Sequence, residues 1–506
     1  MSPASGIRLA GSGRPQSMAR LHMSVVEELR IKRLCSDGRT VRPDDTFVAY
    51  PGAAQDGRDF IAQAIGKGAA SVLWEAQGFA WNARWRVPNR GVVNLRRQIG
   101  RIADRINGEP SRKLCVVGVT GTNGKTSCSH WIAQSLTRLG RPTAVIGTLG
   151  SGFPGKLSPT LNTTPDAIWL HARMAELVAK GAQALSMEVS SHGLVQGRVN
   201  GVRFDVALLT NLTRDHLDYH GSMRGYRAAK AKLFRVAGLR HAILNLDDPF
   251  GAELSRSIGR EGLEVVGYGF GRNAKAGVPQ LRGSKLRVGA SGITFEVRGP
   301  WGRSALESSL IGRFNAANLL GSLAALLAAG APLDESVQAL SGVAPVPGRT
   351  ERLGGGRAPL VMVDYAHTPD ALEKVLQMLN AVKGRGNLVC VFGCGGERDR
   401  GKRPQMGEIA TRLADRVIVT SDNPRGEDPL AIIADIGAGA RGEYRIEPDR
   451  RRAINLALAE ARSGDVVLLA GKGHEAYQEI AGRKIPLSDR DCARRALSRR
   501  TRGSRE

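Results

Sequence analysis

Residues 118–126 read Gly-Val-Thr-Gly-Thr-Asn-Gly-Lys-Thr, between an apolar run, Leu114-Cys115-Val116-Val117, and a helix-like stretch from Ser127 to Leu139. A strand that turns into a helix through glycines and ends in Lys-Thr is suited to holding phosphate. The loop Gly121, Thr122, Asn123, Gly124, Lys125, Thr126 and Ser127 can close its backbone N–H groups around phosphate oxygens, aided by the partial positive charge of the helix N-terminus. Lys125 reaches the terminal phosphates, and the Thr126 hydroxyl can ligate Mg²⁺. The loop departs from the common G-x-x-x-x-G-K-[ST] form, because Val119 stands at the first glycine position and the glycines fall at 118 and 121.

Two later segments place acids and a histidine just beyond strand-like runs. One is Met187-Glu188-Val189-Ser190-Ser191-His192, and the other is Asn211-Leu212-Thr213-Arg214-Asp215-His216-Leu217-Asp218. A Mg-nucleotide site needs hard oxygens or an imidazole to complete an octahedron left open by phosphate, Thr126 and water, which selects Glu188 and His216. Asp215 and Asp218 have a plainer reading as the start of a helix. Tyr226 to Phe234 has amphipathic helix spacing, and on that pattern alone Lys230 and Lys232 belong to a solvated face.

The elements that position these residues fall into three blocks. From 24 to 112, short strands such as Thr46–Tyr50 and Ser71–Trp74 alternate with helix-like segments, giving a small N-terminal α/β module. From 113 to 345, strand candidates at Thr143–Ile146, Ala184–Met187, Val206–Leu209 and His241–Leu244 alternate with amphipathic stretches. That alternation predicts a mostly parallel, P-loop ATPase-like sheet with ligands at the carboxyl ends of its strands. Leu319 to Leu333 reads as a buried helix. From 346 to 490, Leu360–Val363, Leu388–Phe392, Arg416–Thr420 and Val466–Leu469 predict a second, Rossmann-like α/β sheet, with a turn at Gly354–Gly356.

The chain has 506 residues, beyond what one core usually serves, and roughly two to four domains are expected. No run of about 18 apolar residues predicts a membrane span. Residues 1–23 lack an apolar h-region and read as a disordered leader, with Met1, Met18 or Met23 as the start. Cysteines 35, 115, 128, 390, 394 and 492 contain no C-x-x-C pair and suit free thiols in a reducing cytoplasm. The net charge of +26 raises nucleic acid as a partner, but the arginines are spread along the chain and concentrate in a basic tail, 491–506, without stacking aromatics. Nucleic acid is therefore not expected as the primary partner, and a basic P-loop ATPase acting on it is the alternative from another class.

The chain resembles the Mur ligases, ATP-dependent amide-forming enzymes of peptidoglycan precursor synthesis, over about 24 to 490. The segments that carry the likeness are Thr120–Thr126, Asn162-Thr163-Thr164-Pro165, Glu188–His192, Asp215–Asp218, Phe314-Asn315 with Asn318, Pro347-Gly348-Arg349, Asp364-Tyr365-Ala366-His367-Thr368-Pro369 and Gly471-Lys472-Gly473-His474-Glu475. Asp422-Asn423-Pro424-Arg425 resembles the tetrad of the family branch that adds meso-diaminopimelate, and Gly393 to Asp399 agrees with that branch. A lysine-adding ligase and a folylpolyglutamate synthase-like ligase are the alternatives within the enzyme class.

The resemblance implies three domains: a uridine-binding module, a central ATP-binding domain and a C-terminal amino-acid-binding domain. It implies ATP and Mg²⁺ as cofactors, UDP-N-acetylmuramoyl-dipeptide and meso-diaminopimelate as substrates, and a cytoplasmic monomer. Lys230 would carry a carbamate, whose oxygen can bind a second Mg²⁺ beside Thr126, Glu188 and His216. Asn162, Asn318, Arg349 and Asp364 would meet the nucleotide. Ser36, Gly38, Ala54, Gln55, Asp56, Thr163, Thr164, Ser190, Gln196 and Arg198 would meet the nucleotide-sugar substrate. Gly38 stands where the family usually has serine, which removes one hydroxyl. Arg398, Asp422, Asn423, Pro424, Arg425, Gly471 and Glu475 would take the amino acid, the arginines offering guanidinium forks to a carboxylate and the acids and amide receiving an ammonium.

Overall fold

The computed structural model describes residues 18–52, 55–259, 261–271 and 278–503. A helix begins at Met18, inside the stretch read as a leader, and residues 1–17 lie outside the described residues.

Two compact units emerge from the packing. The first takes 1–113 together with 165–180 and 196–202. Its sheet has four parallel strands in chain order, β1 (Arg33–Cys35), β2 (Asp45–Ala49), β3 (Ser71–Glu75) and β4 (Asn89–Val92). The helix Leu95–Ile106 buries Leu95, Ile99, Ile102 and Ala103 on one stripe and packs on the helix Ala167–Ala179. Gly100 lets the same helix approach the segment 196–202, since a Cβ there would lie 2.1 Å from the Asn200 carbonyl oxygen.

The second unit holds both larger sheets. The first of these contains β5 (Cys115–Thr120), β6 (Thr143–Gly147), β7 (Gly150–Phe153), β8 (Lys156–Ser158), β9 (Ala184–Glu188), β10 (Val206–Leu209), β11 (His241–Asn245), β12 (Glu264–Gly269), β13 (Gln280–Gly289), β14 (Gly292–Gly299) and β15 (Gly302–Ser308). Their order is β15-β14-β13-β12-β11-β10-β5-β9-β6-β7-β8, parallel from β13 to β6 and antiparallel at both ends. The helix Lys125–Arg138 packs on the helix Arg313–Ala328, whose face of Leu319, Leu320, Leu323 and Leu327 closes the core with Leu281, Ile293, Phe295 and Leu306 of the antiparallel extension. The buried helix expected over Leu319–Leu333 thus starts earlier and stops at Ala328, a turn at Gly330 with φ +87° separating it from the helix Leu333–Ser341.

The other sheet contains β16 (Glu351–Gly354), β17 (Leu360–Asp364), β18 (Leu388–Phe392), β19 (Arg416–Val419), β20 (Arg445–Ile446) and β21 (Val466–Ala470), in the order β16-β17-β21-β18-β19-β20. Only the β16–β17 pair is antiparallel. As far as residue 503, the segment 491–506 read as a basic tail lies in the helix Asp489–Gly503, which packs Cys492, Ala493, Ala496 and Leu497 onto the helix Arg450–Glu460; 504–506 lie outside the described residues.

Candidate functional site

β5 lies between β9 and β10, with Val119 opposite Glu188 and Thr120 opposite Leu209. The loops after these three strands therefore emerge side by side, where parallel sheets bind ligands. Gly121 can sit there because it has no side chain: a Cβ would lie 1.8 Å from Thr210 Oγ1. Gly124 adopts φ +89° and ends the loop as a helix cap with no side-chain bond, so the first N–H groups of the helix have no side-chain acceptor at that cap.

Thr126, the second residue of that helix, donates its hydroxyl hydrogen to Glu188 Oε2 at 3.0 Å. Glu188 is 0% exposed and also accepts from Thr148 N at 2.8 Å and Thr148 Oγ1 at 3.0 Å. Arg349 donates from Nη2 to Thr126 Oγ1 at 3.0 Å, and its guanidinium lies over the Tyr365 ring at 4.4 Å. The central and C-terminal sheets thus meet at one hydroxyl. Thr148 and its backbone were not singled out in the sequence; a threonine after Ile146-Gly147 carries no motif of its own.

Two lysines turn toward the same carbonyl. Lys125 Nζ donates to Gly121 O and Thr122 O, each at 2.9 Å, and Lys230 Nζ donates to Gly121 O at 2.7 Å. The solvated-face reading fits Lys232, which is exposed, but not Lys230, which is 1% exposed. Residues two apart on a helix point to nearly opposite sides, so Lys232 faces solvent where Lys230, near the end of the helix Met223–Ala231, faces inward. Lys230 also sits 4.5 Å from the Tyr226 ring centre, whose hydroxyl lies 3.2 Å from Thr122 Oγ1. Burial, then the Lys125 charge, pushes the Lys230 ammonium well below its usual value, with Asp215 opposing.

His216 adopts φ +54°, its Nε2 lies 3.3 Å from Asp215 Oδ2, and its ring meets His192 edge-on at 4.8 Å. Burial outweighs Asp215 and lowers its pKa to about 3, so the imidazole is neutral at neutral pH. His367 of the C-terminal sheet comes within 3.8 Å of the same Asp215 oxygen.

Asn123, Gly124, Ser127, Asn318, Arg349 and Asp364 border one cavity of about 1000 Å³. Phe270, Leu286 and Val288 give it an apolar wall suited to a planar base. Asp364 accepts from Thr350 N at 2.7 Å and Ala366 N at 2.8 Å, holding the turn that carries Arg349.

At the carboxyl ends of β18, β19 and β21 the tetrad is assembled. Asn423 Nδ2 donates to Glu475 Oε2 at 2.9 Å, and Asp422 Oδ2 is buried with no hydrogen-bond partner among the described residues. Gly471 leaves room for it, since a Cβ there would lie 2.6 Å from that oxygen. Arg425, at φ +53°, donates to Gly396 O at 2.7 Å, and Pro424 is buried beside it. Arg398 is exposed and donates to Glu397 O at 2.9 Å, although both arginines border Gly395.

The expected sugar-nucleotide residues are divided between the units. In the second, Thr163 Oγ1 lies 3.0 Å from Thr148 Oγ1 and Thr164 Oγ1 joins Glu188 O to Ser190 N; Asn162, expected with the ATP residues, is exposed. In the first, Arg198 Nε donates to Gln196 Oε1 at 2.9 Å, Asp56 pairs with Arg58, and Ser36 and Gln55 are exposed. Gly38 is buried, with Gln63 Oε1 3.3 Å from where a Cβ would stand. Ala54 lies outside the described residues.

Family models match three successive stretches: the Mur ligase family catalytic domain at 30–106, the Mur ligase middle domain at 119–326, and the Mur ligase glutamate ligase domain at 348–473. The chain is 51% identical to the UDP-N-acetylmuramoyl-L-alanyl-D-glutamate–2,6-diaminopimelate ligase of Nitrosomonas europaea, over 93% of its own length and 94% of the relative's. It is 52% identical to the ligase of the same name from Chromobacterium violaceum, over 93% and 95%. A solved structure bearing that name aligns with TM-score 0.66 at 36% identity, covering 93% of this chain and 95% of the other. By these three successive matches and the relatives aligned over nearly the whole chain, the chain belongs to the Mur ligase family.

Proposed function

We propose that the protein joins meso-2,6-diaminopimelate to the D-glutamate carboxylate of UDP-N-acetylmuramoyl-L-alanyl-D-glutamate at the expense of ATP, in cytoplasmic peptidoglycan precursor synthesis. The observation that carries this reading is the meeting of Thr126, buried Glu188 and Arg349 at the head of the phosphate-loop helix. The reaction named for the Nitrosomonas and Chromobacterium relatives supports it.

A carboxylate cannot expel oxide, so its oxygen first takes the γ-phosphoryl group, releasing ADP and leaving an acyl phosphate. The amine then attacks the acyl carbon, loses a proton and expels phosphate through a tetrahedral intermediate. Lys125 and the N–H groups of the loop hold the phosphate oxygens, while Arg349 adds positive charge from the C-terminal domain. Thr126 and Glu188 are hard oxygen donors, both buried, and fit Mg²⁺, with neutral His216 to complete the set; a Lys230 carbamate would offer an oxygen to a second Mg²⁺. Bound there, the ion would neutralise charge on the phosphate oxygens. Among the described residues no three His, Cys, Asp or Glu side chains cluster to hold a metal unaided. Buried as it is, the Lys230 amine sits in surroundings that favour its neutral form, the form that captures CO₂.

The test is ADP release with the UDP-dipeptide, comparing meso-diaminopimelate, L-lysine, and glutamate with a folate, with and without EDTA. Turnover with diaminopimelate that EDTA abolishes is expected. Turnover with lysine but not diaminopimelate removes the amine assignment, and stimulation by DNA or RNA removes the ligase reading.

A further inference from the structure

Lys472 has no role among the residues expected to bind the amino acid, yet its side chain is fully buried beside them. Its Nζ donates to Asn423 Oδ1 at 3.0 Å and to Glu475 Oε2 at 2.9 Å. An ammonium desolvated this completely persists only where paired and hydrogen-bonded, and here both partners belong to the amino-acid loops. Asn423 Oδ1 receives a second donor, Glu479 N, at 2.9 Å. Both donors lack any acceptor function, so they compel the carbonyl end of the amide to face them. The amide nitrogen is thereby turned toward Glu475 and keeps one N–H uncommitted.

We propose that Lys472 is a positioning residue that locks the Asn423 amide as a donor, and so selects an amine substrate with a carboxylate at its far end. The inference rests on the function proposed above. An amide free to rotate presents a donor or an acceptor equally well. Held by Lys472 together with Glu479 N it presents only N–H, which suits a carboxylate rather than the ammonium expected of this amide from sequence, and leaves the distal ammonium to Asp422, whose Oδ2 is buried with no hydrogen-bond partner among the described residues. Lys472 also neutralises Glu475, so that the acceptor charge offered to the ammonium is concentrated at Asp422.

The experiment is steady-state kinetics of full-length Lys472→Met and Lys472→Gln, varying meso-diaminopimelate, ATP and UDP-dipeptide in turn, with thermal midpoints measured alongside. The expected result, in whichever variant keeps a wild-type midpoint, is a KM for diaminopimelate raised about tenfold or more, with the other two KM values within about twofold. Asn423→Asp, which can donate nothing, should match or exceed that rise. An unchanged diaminopimelate KM, or a common shift of all three, overturns the positioning role, as does loss of the folded state in both variants. Wild-type protein that fails to use diaminopimelate at all overturns the functional reading instead.

Discussion

Lys230 lies 2.7 Å from the Gly121 carbonyl oxygen, directly behind the phosphate loop, and the Lys125 ammonium reaches the same atom. Two cations on one carbonyl are costly, and converting one of them to a carbamate anion relieves the repulsion. Lys230→Ala should therefore lower turnover by about a hundredfold or more, with partial recovery on adding short-chain carboxylic acids. Labelling with ¹³C-bicarbonate should give a carbamate resonance that this variant lacks. Full activity of Lys230→Ala would end the carbamate proposal.

The loop after β10 and the loop after β18 are joined by Arg214 and Asp399, with Nε–Oδ2 at 2.9 Å and Nη2–Oδ1 at 3.0 Å. Asp399 follows Arg398, and Arg214 precedes Asp215 and His216, so the pair ties the amino-acid loop to the phosphate site. Arg214 is partly exposed, which limits the pair to about 1 kcal/mol. Asp399→Asn and Arg214→Gln should each lower kcat/KM for the amine by about fivefold, and the double exchange Arg214→Asp with Asp399→Arg should recover part of it. Strictly additive losses in the double variant would show that the two side chains do not act together.

The ends of β5, β9, β10, β19 and β21 were legible because each couples a short apolar run to a loop rich in glycine or acids. The extension β12 to β15, antiparallel from β13 outward, was not. β13 carries Arg282, Lys285 and Arg287, and only alternate residues such as Ile293, Phe295 and Val297 of β14 are buried, so the apolar signal is half that of a central parallel strand. The association of 165–180 and 196–202 with the first unit is a long-range fact that local periodicity does not contain. The burial of Lys472 was not legible either, because a lysine between glycines is buried only once β19 and β21 bring Asn423 and Glu475 to it.

Glu427 supplies a pH dependence. Hydrogen bonds from Arg403 lower its pKa from 4.5 to about 2, with Glu397 N and the Arg400 charge adding to the effect. A carboxyl depressed in the folded state gives stability that is complete above the unfolded pKa and fades as pH falls from about 4.5 toward 2. Glu427→Gln should cost about 1–2 kcal/mol at neutral pH, and the difference from wild type should shrink through that window. Urea unfolding at pH 7, 4 and 3 measures it; a gap that stays constant would assign the effect to packing rather than charge.

Arg450 and Asp489 form a pair with neither side chain exposed, Nε–Oδ1 at 2.9 Å and Nη2–Oδ2 at 2.6 Å. Arg450 also donates to Ala470 O at 2.8 Å and Ser421 O at 3.4 Å, the residues just before Gly471 and Asp422. The first residue of the basic helix therefore braces the strand ends that carry the amino-acid site. Asp489→Asn leaves a buried guanidinium without its counter-charge and should cost about 3–5 kcal/mol, whereas Arg450→Met with Asp489→Leu should cost much less, because both charges leave together. The double variant should still show a raised KM for diaminopimelate at nearly unchanged ATP KM, since it loses the two carbonyl contacts even where stability survives. Denaturant midpoints and the two KM values separate these effects: a single variant as stable as wild type would refute the burial argument, and an unchanged amine KM in the double variant would refute the brace.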